Sequence, residues 1–269
     1  MKNVIYLKNF VLDVLFPIKC LGCGKEFEGL EAKERWICKQ CLEKIVMRKR
    51  QVCPFCEKDS DNGKTHHECQ KKTFLSGVWV ASEYSDDVIS EAIHKLKFNF
   101  IKDISFPISK VVTKSILQVD EFSDFHDLIL SEFSQDSGEE KIYKDDRKNE
   151  ISETILIPVP LHKKRYNWRG FNQAFLLSEY ISDEFHLRVN ENLLIRQKNT
   201  KPQTKIKSME KRRENIKGAF SVVENDFLKN KNVIIVDDVC TTSATLNECA
   251  KKLKSSGVKD VWGLVVARR

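Results

Sequence analysis

The chain has 269 residues, of which 41% are apolar and 32% are charged, and its formal net charge is +7. The apolar fraction is adequate for a packed core, in one large domain or two small ones. No run reaches the roughly 18 apolar residues of a transmembrane helix, and no small-residue cleavage site follows the N-terminal stretch. We therefore expect a cytoplasmic protein, neither secreted nor membrane-spanning.

The N-terminal stretch, residues 1–16, has apolar side chains at helical spacing, at Val4, Leu7, Val11 and Val14. We interpret this pattern as a short amphipathic helix that packs on the rest of the protein. A helix that lies on a membrane surface is the alternative, and the pattern leaves it open.

Seven of the nine cysteines fall between Cys20 and Cys69. In a reducing compartment, clustered cysteines favour a metal site over disulfides. The segment that carries them has few large apolar residues, so it would not hold a core without metal. We therefore expect an N-terminal zinc module over residues 1–72 and a larger domain over residues 73–269.

Two pairs of cysteines have the two-residue spacing of zinc knuckles, in which a tight turn directs both sulfurs to one point. The pairs are Cys20 with Cys23 and Cys38 with Cys41. Four thiolates make a tetrahedral site that suits a structural zinc ion, with no open position for catalysis.

A second set repeats the spacing with one histidine. Cys53 and Cys56 form one knuckle, and His66 with Cys69 forms the other. This set predicts a second structural zinc, in which His67 could take the place of His66. The alternative is a decayed site whose cysteines only pack together.

The segment from residue 154 to the end alternates strand-like and helix-like patterns. Its strands are apolar on both faces, which indicates an α/β fold with a parallel sheet covered on both sides. Residues 121–153, rich in Asp, Glu, Ser and Lys, are predicted to be an exposed, mobile insertion. The predicted strands are Thr154–Val159, Val233–Val236 and Val261–Ala267, and the predicted helices are Asp86–Lys97, Phe106–Gln118, Phe171–Phe185 and Ala244–Lys254.

The most informative run is residues 233–245, in which an apolar strand leads into two acids, a hydroxyl-rich turn and a helix. Backbone N–H groups at such a turn and helix N-terminus attract an anion. Asp237 and Asp238 can accept hydrogen bonds from a diol, and a phosphate held beside a diol describes a ribose 5-phosphate. An ordinary N-capped helix is the alternative. The predicted phosphate-binding residues are Thr241, Thr242, Ser243, Ala244 and Thr245.

This run resembles the signature of type I phosphoribosyltransferases. In that family the two acids hold the ribose hydroxyls of 5-phosphoribosyl 1-pyrophosphate (PRPP), and the loop holds its 5-phosphate. The resemblance implies the same roles for Asp237 and Asp238, and Mg²⁺ could bridge the pyrophosphate and the diol. The family usually has glycine at the position of Ser243, so we expect a reduced affinity for phosphate here.

Three further runs are similar to the ComF family of competence proteins. They are residues 159–173, which end in Arg-Gly-Phe-Asn-Gln, residues 196–220 and residues 95–98. With the cysteine knuckles, the resemblance covers nearly the whole chain except residues 121–150. It implies a phosphoribosyltransferase-like sheet with an N-terminal double zinc ribbon. It also implies a role in natural transformation, with single-stranded DNA and other competence proteins at the inner membrane as partners.

The same runs are basic, with Tyr166, Trp168 and Phe171 interleaved. Basic side chains contact phosphates and aromatic rings stack on bases, so the mixture suits both a pyrophosphate pocket and single-stranded DNA. For any single lysine, a solvated loop with incidental charge is the alternative. The candidate residues for binding pyrophosphate or nucleic acid are Lys97, Lys164, Arg165, Arg169, Asn172, Gln173, Arg196, Gln203 and Arg212.

Three functional hypotheses follow from these patterns. The first is a competence factor that keeps the fold as a binding site for nucleic acid and PRPP. The second is an active transferase that displaces pyrophosphate from PRPP with a nitrogen nucleophile. The third is a regulator that senses PRPP. Apart from Glu248, no further acid lies near the loop to act as a general base, which favours binding over turnover.

Overall fold

The computed structural model describes residues 17–27, 35–119, 123–130, 153–201, 208–223 and 226–269. The predicted N-terminal helix, most of the insertion predicted near 121–153 and the candidate ligand Gln203 lie outside these residues.

The strands fall into two sheets. The strands of the described residues are β1 (Gly77–Glu83), β2 (Thr154–Pro158), β3 (Arg188–Val189), β4 (Leu194–Arg196), β5 (Phe220–Val222), β6 (Asn232–Cys240) and β7 (Asp260–Arg268). Five of them form a sheet with the order β1-β7-β6-β2-β3, in which all neighbouring strands are parallel. The other two, β4 and β5, form an antiparallel pair. The predicted parallel sheet is therefore confirmed.

Helices connect and cover these strands. The α-helices of the described residues are α1 (Lys39–Lys44), α2 (Asp87–Phe98), α3 (Ser105–Ile116), α4 (Asp124–Leu130), α5 (Lys163–Arg169), α6 (Gln173–Phe185), α7 (Met209–Ile216) and α8 (Ala244–Ser255). Short 3₁₀ helices lie at Asp61–Gly63, His67–Cys69, Lys102–Ile104 and Asp226–Leu228. Within this part of the chain, none of the helices has the length and apolar character that a membrane crossing requires.

The large sheet is buried on both faces because its central strands are apolar on both faces. On one face, α2, α3, α4 and α6 pack on side chains such as Leu156 and Leu264. On the other face, α7, α8 and the β4–β5 pair pack on side chains such as Ile155 and Val265. Two core layers therefore enclose the central strands of the sheet.

Strand β6 is longer than the sequence pattern predicts. The apolar run ends at Val236, but pairing with β7 continues through Asp237 and Val239 to Cys240. The long partner strand supplies backbone hydrogen bonds to the polar residues, so the acids lie inside the strand rather than after it. This pairing holds the acids in a strand that is hydrogen-bonded to β7 up to Cys240.

The cysteine-rich segment covers the free edge of the sheet. The side-chain amide of Gln51 pairs with the backbone of β1 as a neighbouring strand would. Its Nε2 donates to the Val80 carbonyl oxygen at 3.0 Å, and its Oε1 accepts from the Val80 N–H at 3.1 Å. Gly63, at φ +78°, lies so close that a Cβ there would be 2.1 Å from the Val78 carbonyl oxygen. Glu57 and Arg268 form an ion pair at 2.5 Å. The edge of β1 is thus shielded from pairing with another chain.

The N-terminal segment also shares a core with the sheet. Cys20, Cys41 and Ile45 belong to the same buried apolar cluster as Trp79 of β1. The two predicted domains therefore pack tightly together, and the boundary at residue 72 stays a prediction.

Candidate functional site

A cleft of about 480 Å³ lies at the carboxyl ends of β2 and β6, where parallel α/β sheets commonly bind ligands. It brings together most of the residues predicted from the sequence. Those that line it are Lys97, Arg165, Arg169, Gln173, Arg196, Asp237, Asp238 and the loop residues Thr241, Thr242, Ser243, Ala244 and Thr245.

The two acids of β6 have different partners. Asp238 is 3% exposed, and its Oδ1 lies 2.7 Å from Lys97 Nζ. Its other oxygen, Oδ2, is buried and has no hydrogen-bond partner among the described residues. Asp237 Oδ1 accepts a hydrogen bond from the Asp238 N–H at 2.9 Å. The cleft therefore contains a buried carboxylate oxygen that can accept a hydrogen bond from a ligand hydroxyl.

The carboxyl group of Asp237 has a raised pKa. Burial and the neighbouring Asp238 carboxylate together raise its pKa to about 7, against the opposing effect of Lys97. A carboxyl group with such a pKa can exchange a proton near neutral pH, as a general acid or base must. The sequence indicated no such group beyond Glu248, because the shift arises from burial and from a side chain on another helix. Glu248 itself accepts a hydrogen bond from the Gly218 N–H at 2.7 Å.

The loop between β6 and α8 has a left-handed residue at its centre. Ser243 has φ +53°, is 4% exposed, and its Oγ lies 3.2 Å from Cys240 Sγ. Its hydroxyl therefore has a partner inside the protein, and its role in binding phosphate stays a prediction. A Cβ in this conformation costs about 1–2 kcal/mol, which explains why glycine is usual here in the family that the loop resembles. Ala244 and Thr245 in the first turn of α8 line the cleft, where backbone N–H groups lack intrahelical partners.

Three arginines converge on the cleft opposite the loop. Arg196, at the end of β4, is 9% exposed and donates to Thr200 Oγ1 at 2.6 Å. Arg165 donates to the Thr200 carbonyl oxygen at 2.5 Å, and Arg169 donates to Gln173 Oε1. Burial lowers the pKa of each of the three guanidinium groups. Their charges are thus partly stripped of water before any ligand arrives.

The charge balance of the cleft favours an anion. The residues that line it include five with cationic side chains, among them Arg269, and only two carboxylates. The Nε atoms of Arg169 and Arg196 are buried without a hydrogen-bond partner in the described part of the chain. Because an unpaired buried donor costs free energy, both atoms would be stabilised by an acceptor that a ligand brings.

Asn172 was predicted as a ligand, and the structure gives it a different role. Its Oδ1 accepts from the Ala174 N–H and caps α6, while its Nδ2 donates to the Val159 carbonyl oxygen, both at 3.1 Å. The side chain is 7% exposed, so its amide is used to fasten α6 to the end of β2.

Other predicted residues lie away from the cleft. Lys164 is exposed on α5 and Arg212 lies on α7, and neither lines the cleft. Phe171, which we considered for stacking, is 5% exposed, with Lys102 Nζ 5.4 Å from its ring centre. Its ring is therefore a core contact that cannot stack on a base.

Of the aromatic side chains at the mouth of the cleft, the sequence indicated Trp168 but not its contacts with Phe98 and Phe100. Trp168 lies 4.8 Å from Phe100 and 6.4 Å from Phe98 between ring centres. Trp168 comes from α5 and the two phenylalanines from the end of α2 and the turn after it. No local pattern links them, because only the packing of these elements brings them together.

The first cysteine cluster has the geometry of a tetrahedral metal site. The sulfurs of Cys20, Cys23, Cys38 and Cys41 all lie within 4.8 Å of one another. The Sγ atoms of Cys23 and Cys38 are 3.8 Å apart, which matches the edge of about 3.8 Å expected for Zn–S bonds of about 2.3 Å. Burial and the neighbouring sulfurs raise the pKa of Cys41 to about 12. Four ionised thiols would therefore need a cation among them.

In the second cluster, the histidine that lies beside the three cysteines is His66 rather than His67. The ligand atoms of Cys53, Cys56, His66 and Cys69 also lie within 4.8 Å of one another. His66 Nδ1 lies 3.3 Å from Cys56 Sγ, and its Nε2 lies 3.0 Å from the Asp59 carbonyl oxygen. A hydrogen bond from Nε2 to this carbonyl leaves Nδ1 free to bind a metal, as is usual for histidine ligands. Both clusters therefore fit structural zinc.

Comparisons with known proteins agree with these features. A family model described as a double zinc ribbon domain matches residues 11–70. Competence protein F of Haemophilus influenzae is 44% identical over 116 residues, which are 42% of this chain and 50% of that protein, so the match spans half of its length. Competence protein ComFC of Bacillus subtilis is 26% identical over 252 residues, 88% of this chain and 89% of that protein.

A third relative carries a different name. DNA utilization protein YhgH of Escherichia coli is 26% identical over 234 residues, which are 85% of this chain and 89% of that protein. The zinc-ribbon match, the cysteine clusters, the parallel sheet and these relatives all point to one family. The chain is similar to the ComF family of competence proteins.

Proposed function

We propose that this protein handles single-stranded DNA during natural transformation and that its cleft binds PRPP or the ribose 5-phosphate of a nucleotide. The names of its relatives, which refer to competence and DNA utilization, support the biological role. One observation carries the ligand class. The Nε atoms of Arg169 and Arg196 and the Oδ2 atom of Asp238 are buried around one cleft without partners in the described residues.

The proposal gives each group of residues one part of the ligand. The loop 241–245 would hold the 5-phosphate, and Asp238 Oδ2 would accept a hydrogen bond from a ribose hydroxyl. The arginines would hold the pyrophosphate, where most of the charge of PRPP lies. If Mg²⁺ accompanies PRPP, Asp237 or Asp238 would contribute indirectly to holding it, and the ion would neutralise charge on the pyrophosphate. In this proposal the protein works in the cytoplasm, with other competence proteins at the inner membrane as partners.

Calorimetric titration with PRPP and Mg²⁺ tests the ligand assignment. We expect the native protein to bind, and Asp238→Asn to weaken binding about tenfold or more, because the amide replaces a charged acceptor and leaves Lys97 unpaired. Asp226→Asn, at an exposed carboxylate outside the cleft, is the control and should bind like the native protein. The absence of heat from the native protein would discard the sugar-phosphate assignment.

An active transferase is the second candidate, and the raised pKa of Asp237 favours it. A carboxyl group with a pKa of about 7 beside a ribose could accept a proton from a nitrogen nucleophile. Pyrophosphate release from PRPP in the presence of a panel of bases would support this candidate, and binding without release would support the first.

A second cleft, of about 280 Å³, supports the DNA-handling part of the proposal. It lies between the Cys53–Cys56 knuckle, α7 and α8, and it shares residues 242–244 with the proposed phosphate loop. Lys72 Nζ and the guanidinium carbon of Arg213 lie 5.7 and 5.4 Å from the ring centre of Phe55. Lys251 Nζ lies 5.9 Å from the ring centre of Phe74. Cations and rings next to the phosphate loop could guide the backbone of a strand away from the first cleft.

Binding of single-stranded oligonucleotides at several salt concentrations tests this path. Because each phosphate contact releases counterions, Lys251→Ala should weaken binding and reduce the slope of log affinity against log salt by about 1. Lys110→Ala is a matched control, since Lys110 Nζ also lies over a phenylalanine ring, that of Phe106, but outside both clefts. An unchanged slope for Lys251→Ala would contradict a strand in the second cleft.

A further inference from the structure

Three exposed aromatic side chains form a patch at the mouth of the first cleft. Phe98, Phe100 and Trp168, here named the aromatic platform, are 53%, 40% and 58% exposed. Trp168 meets both phenylalanines edge-on, at interplanar angles of 62° and 82°. Phe98 and Trp168 also line the cleft itself. Clustered exposed rings beside a polar cleft are typical of a binding surface.

Two residues of the platform are direct chain neighbours of charged residues in the cleft. Phe98 follows Lys97, whose ammonium group is paired with Asp238 at 2.7 Å. Trp168 precedes Arg169, whose guanidinium lines the cleft. Each side of the platform is therefore a chain neighbour of a cation that faces the proposed phosphate ligand.

Phe100 is held in an unfavourable backbone conformation. Its φ is +60°, in the left-handed region that bulky residues rarely adopt. Such conformations persist where the surrounding structure imposes them, and they are concentrated at ligand sites. In this protein the conformation places the Phe100 ring against Trp168, 4.8 Å away between ring centres.

We propose that the aromatic platform stacks a planar nucleobase that belongs to the ligand of the cleft, so that this ligand is a nucleotide rather than a bare sugar phosphate. The inference rests on the proposed function, because it takes the phosphate and the ribose to lie among the arginines and acids. The base could come from a mononucleotide or from the end of a DNA strand, and the stacking chemistry is the same for both.

The size and the surroundings of the platform favour a base over a protein partner. A stable protein interface buries about 800 Å² on each partner, far more than three side chains provide. One or two stacked bases match its extent. The neighbouring cations suit a ring that is attached to phosphate, because they hold the anion while the ring face contacts the aromatic side chains.

Fluorescence of Trp168 provides a direct readout of stacking. The chain has four tryptophans, and Trp79 and Trp262 are buried at 6% and 2% exposure, while Trp36 is half-buried. Trp168 is the most exposed, so a stacked base should quench its emission selectively. We would titrate the native protein with ribose 5-phosphate, with nucleoside 5′-monophosphates and with a short 5′-phosphorylated oligodeoxynucleotide.

We expect the ligands with a base to bind about 5- to 100-fold more tightly than ribose 5-phosphate and to quench the emission. Trp168→Leu should abolish this difference in affinity between ligands with and without a base. Tyr166→Leu is the matched control, because Tyr166 is an exposed aromatic residue on the same helix that does not line the cleft. It should behave like the native protein.

The outcomes separate this inference from the proposed function. If ribose 5-phosphate binds and neither class of base-bearing ligand binds more tightly, the stacking proposal is wrong and the sugar-phosphate cleft stands. If ribose 5-phosphate and PRPP both fail to bind, the sugar-phosphate part of the proposed function is wrong. Quenching by the oligonucleotide alone supports stacking and identifies a strand end as the source of the base. Quenching by mononucleotides as well identifies a free nucleotide.

Discussion

Replacing Cys41 with serine is expected to remove one zinc ion from each chain and to cost several kcal/mol of unfolding free energy. Cys41 is 9% exposed and lies in the first cluster, in the same apolar core as Ile45 and Trp79. Without zinc, the thiols lose their common partner and the segment that carries them loses its fixed geometry. Loss of the zinc ion should therefore also weaken the packing of the apolar core that this segment shares with β1.

Elemental analysis and thermal unfolding together measure this effect. If both clusters are filled, the native chain should contain two zinc ions and Cys41→Ser should contain one. Cys249→Ser is the matched control, because Cys249 is fully buried on α8 outside both clusters. It should retain both ions and lose much less stability. Native protein purified without chelators and free of zinc would refute the assignment.

Replacing Arg196 with methionine is expected to raise stability and to weaken PRPP binding. Arg196 is 9% exposed and its Nε has no partner among the described residues, so folding strips water from a charge without full compensation. Methionine removes that cost and can keep the contact with Phe220, whose ring centre is 5.3 Å from the guanidinium carbon. We expect a gain of about 1–3 kcal/mol in unfolding free energy.

The same substitution removes a preorganised anion contact from the cleft. We therefore expect a loss of about 10- to 100-fold in affinity for PRPP, measured by calorimetry beside thermal unfolding. Arg188→Met is the matched control: the Arg188 guanidinium also lies over a phenylalanine ring, that of Phe227, at 4.4 Å, but on β3 outside the cleft. Arg188→Met should neither raise the unfolding free energy nor weaken PRPP binding by these amounts. A destabilised Arg196→Met protein with native affinity would contradict the proposed role.

Parts of the candidate site could be predicted because they are local in sequence. Asp237, Asp238 and the following loop form one continuous run, and their proximity requires no knowledge of the rest of the fold. Lys97 and Arg196 were predicted from the family resemblance and from the basic character of their runs, and the structure places both at the cleft. Asn172 shows the limit of this reasoning. An amide that caps a helix and an amide that binds a ligand have the same chemistry, and only the packing around Asn172 distinguishes them.

Other features depend on contacts that no local pattern contains. The raised pKa of Asp237 arises from burial and from Asp238, and Lys97 on another helix moderates it. The aromatic platform joins Trp168 to residues from an earlier helix and turn. The length of β6 depends on its pairing with β7. Each of these properties is set by elements that are distant along the chain.

Residue spacing and polarity were enough to predict the two metal clusters, the parallel sheet and the loop between β6 and α8. Spacing within a turn and the polarity of a strand act over a few residues, so they can be interpreted without a fold. The tertiary structure alone decided that His66 rather than His67 joins the second cluster, which cations reach the cleft, and that exposed rings surround its mouth. These choices follow from how the elements pack, since packing sets the direction of each side chain and the water that remains around it.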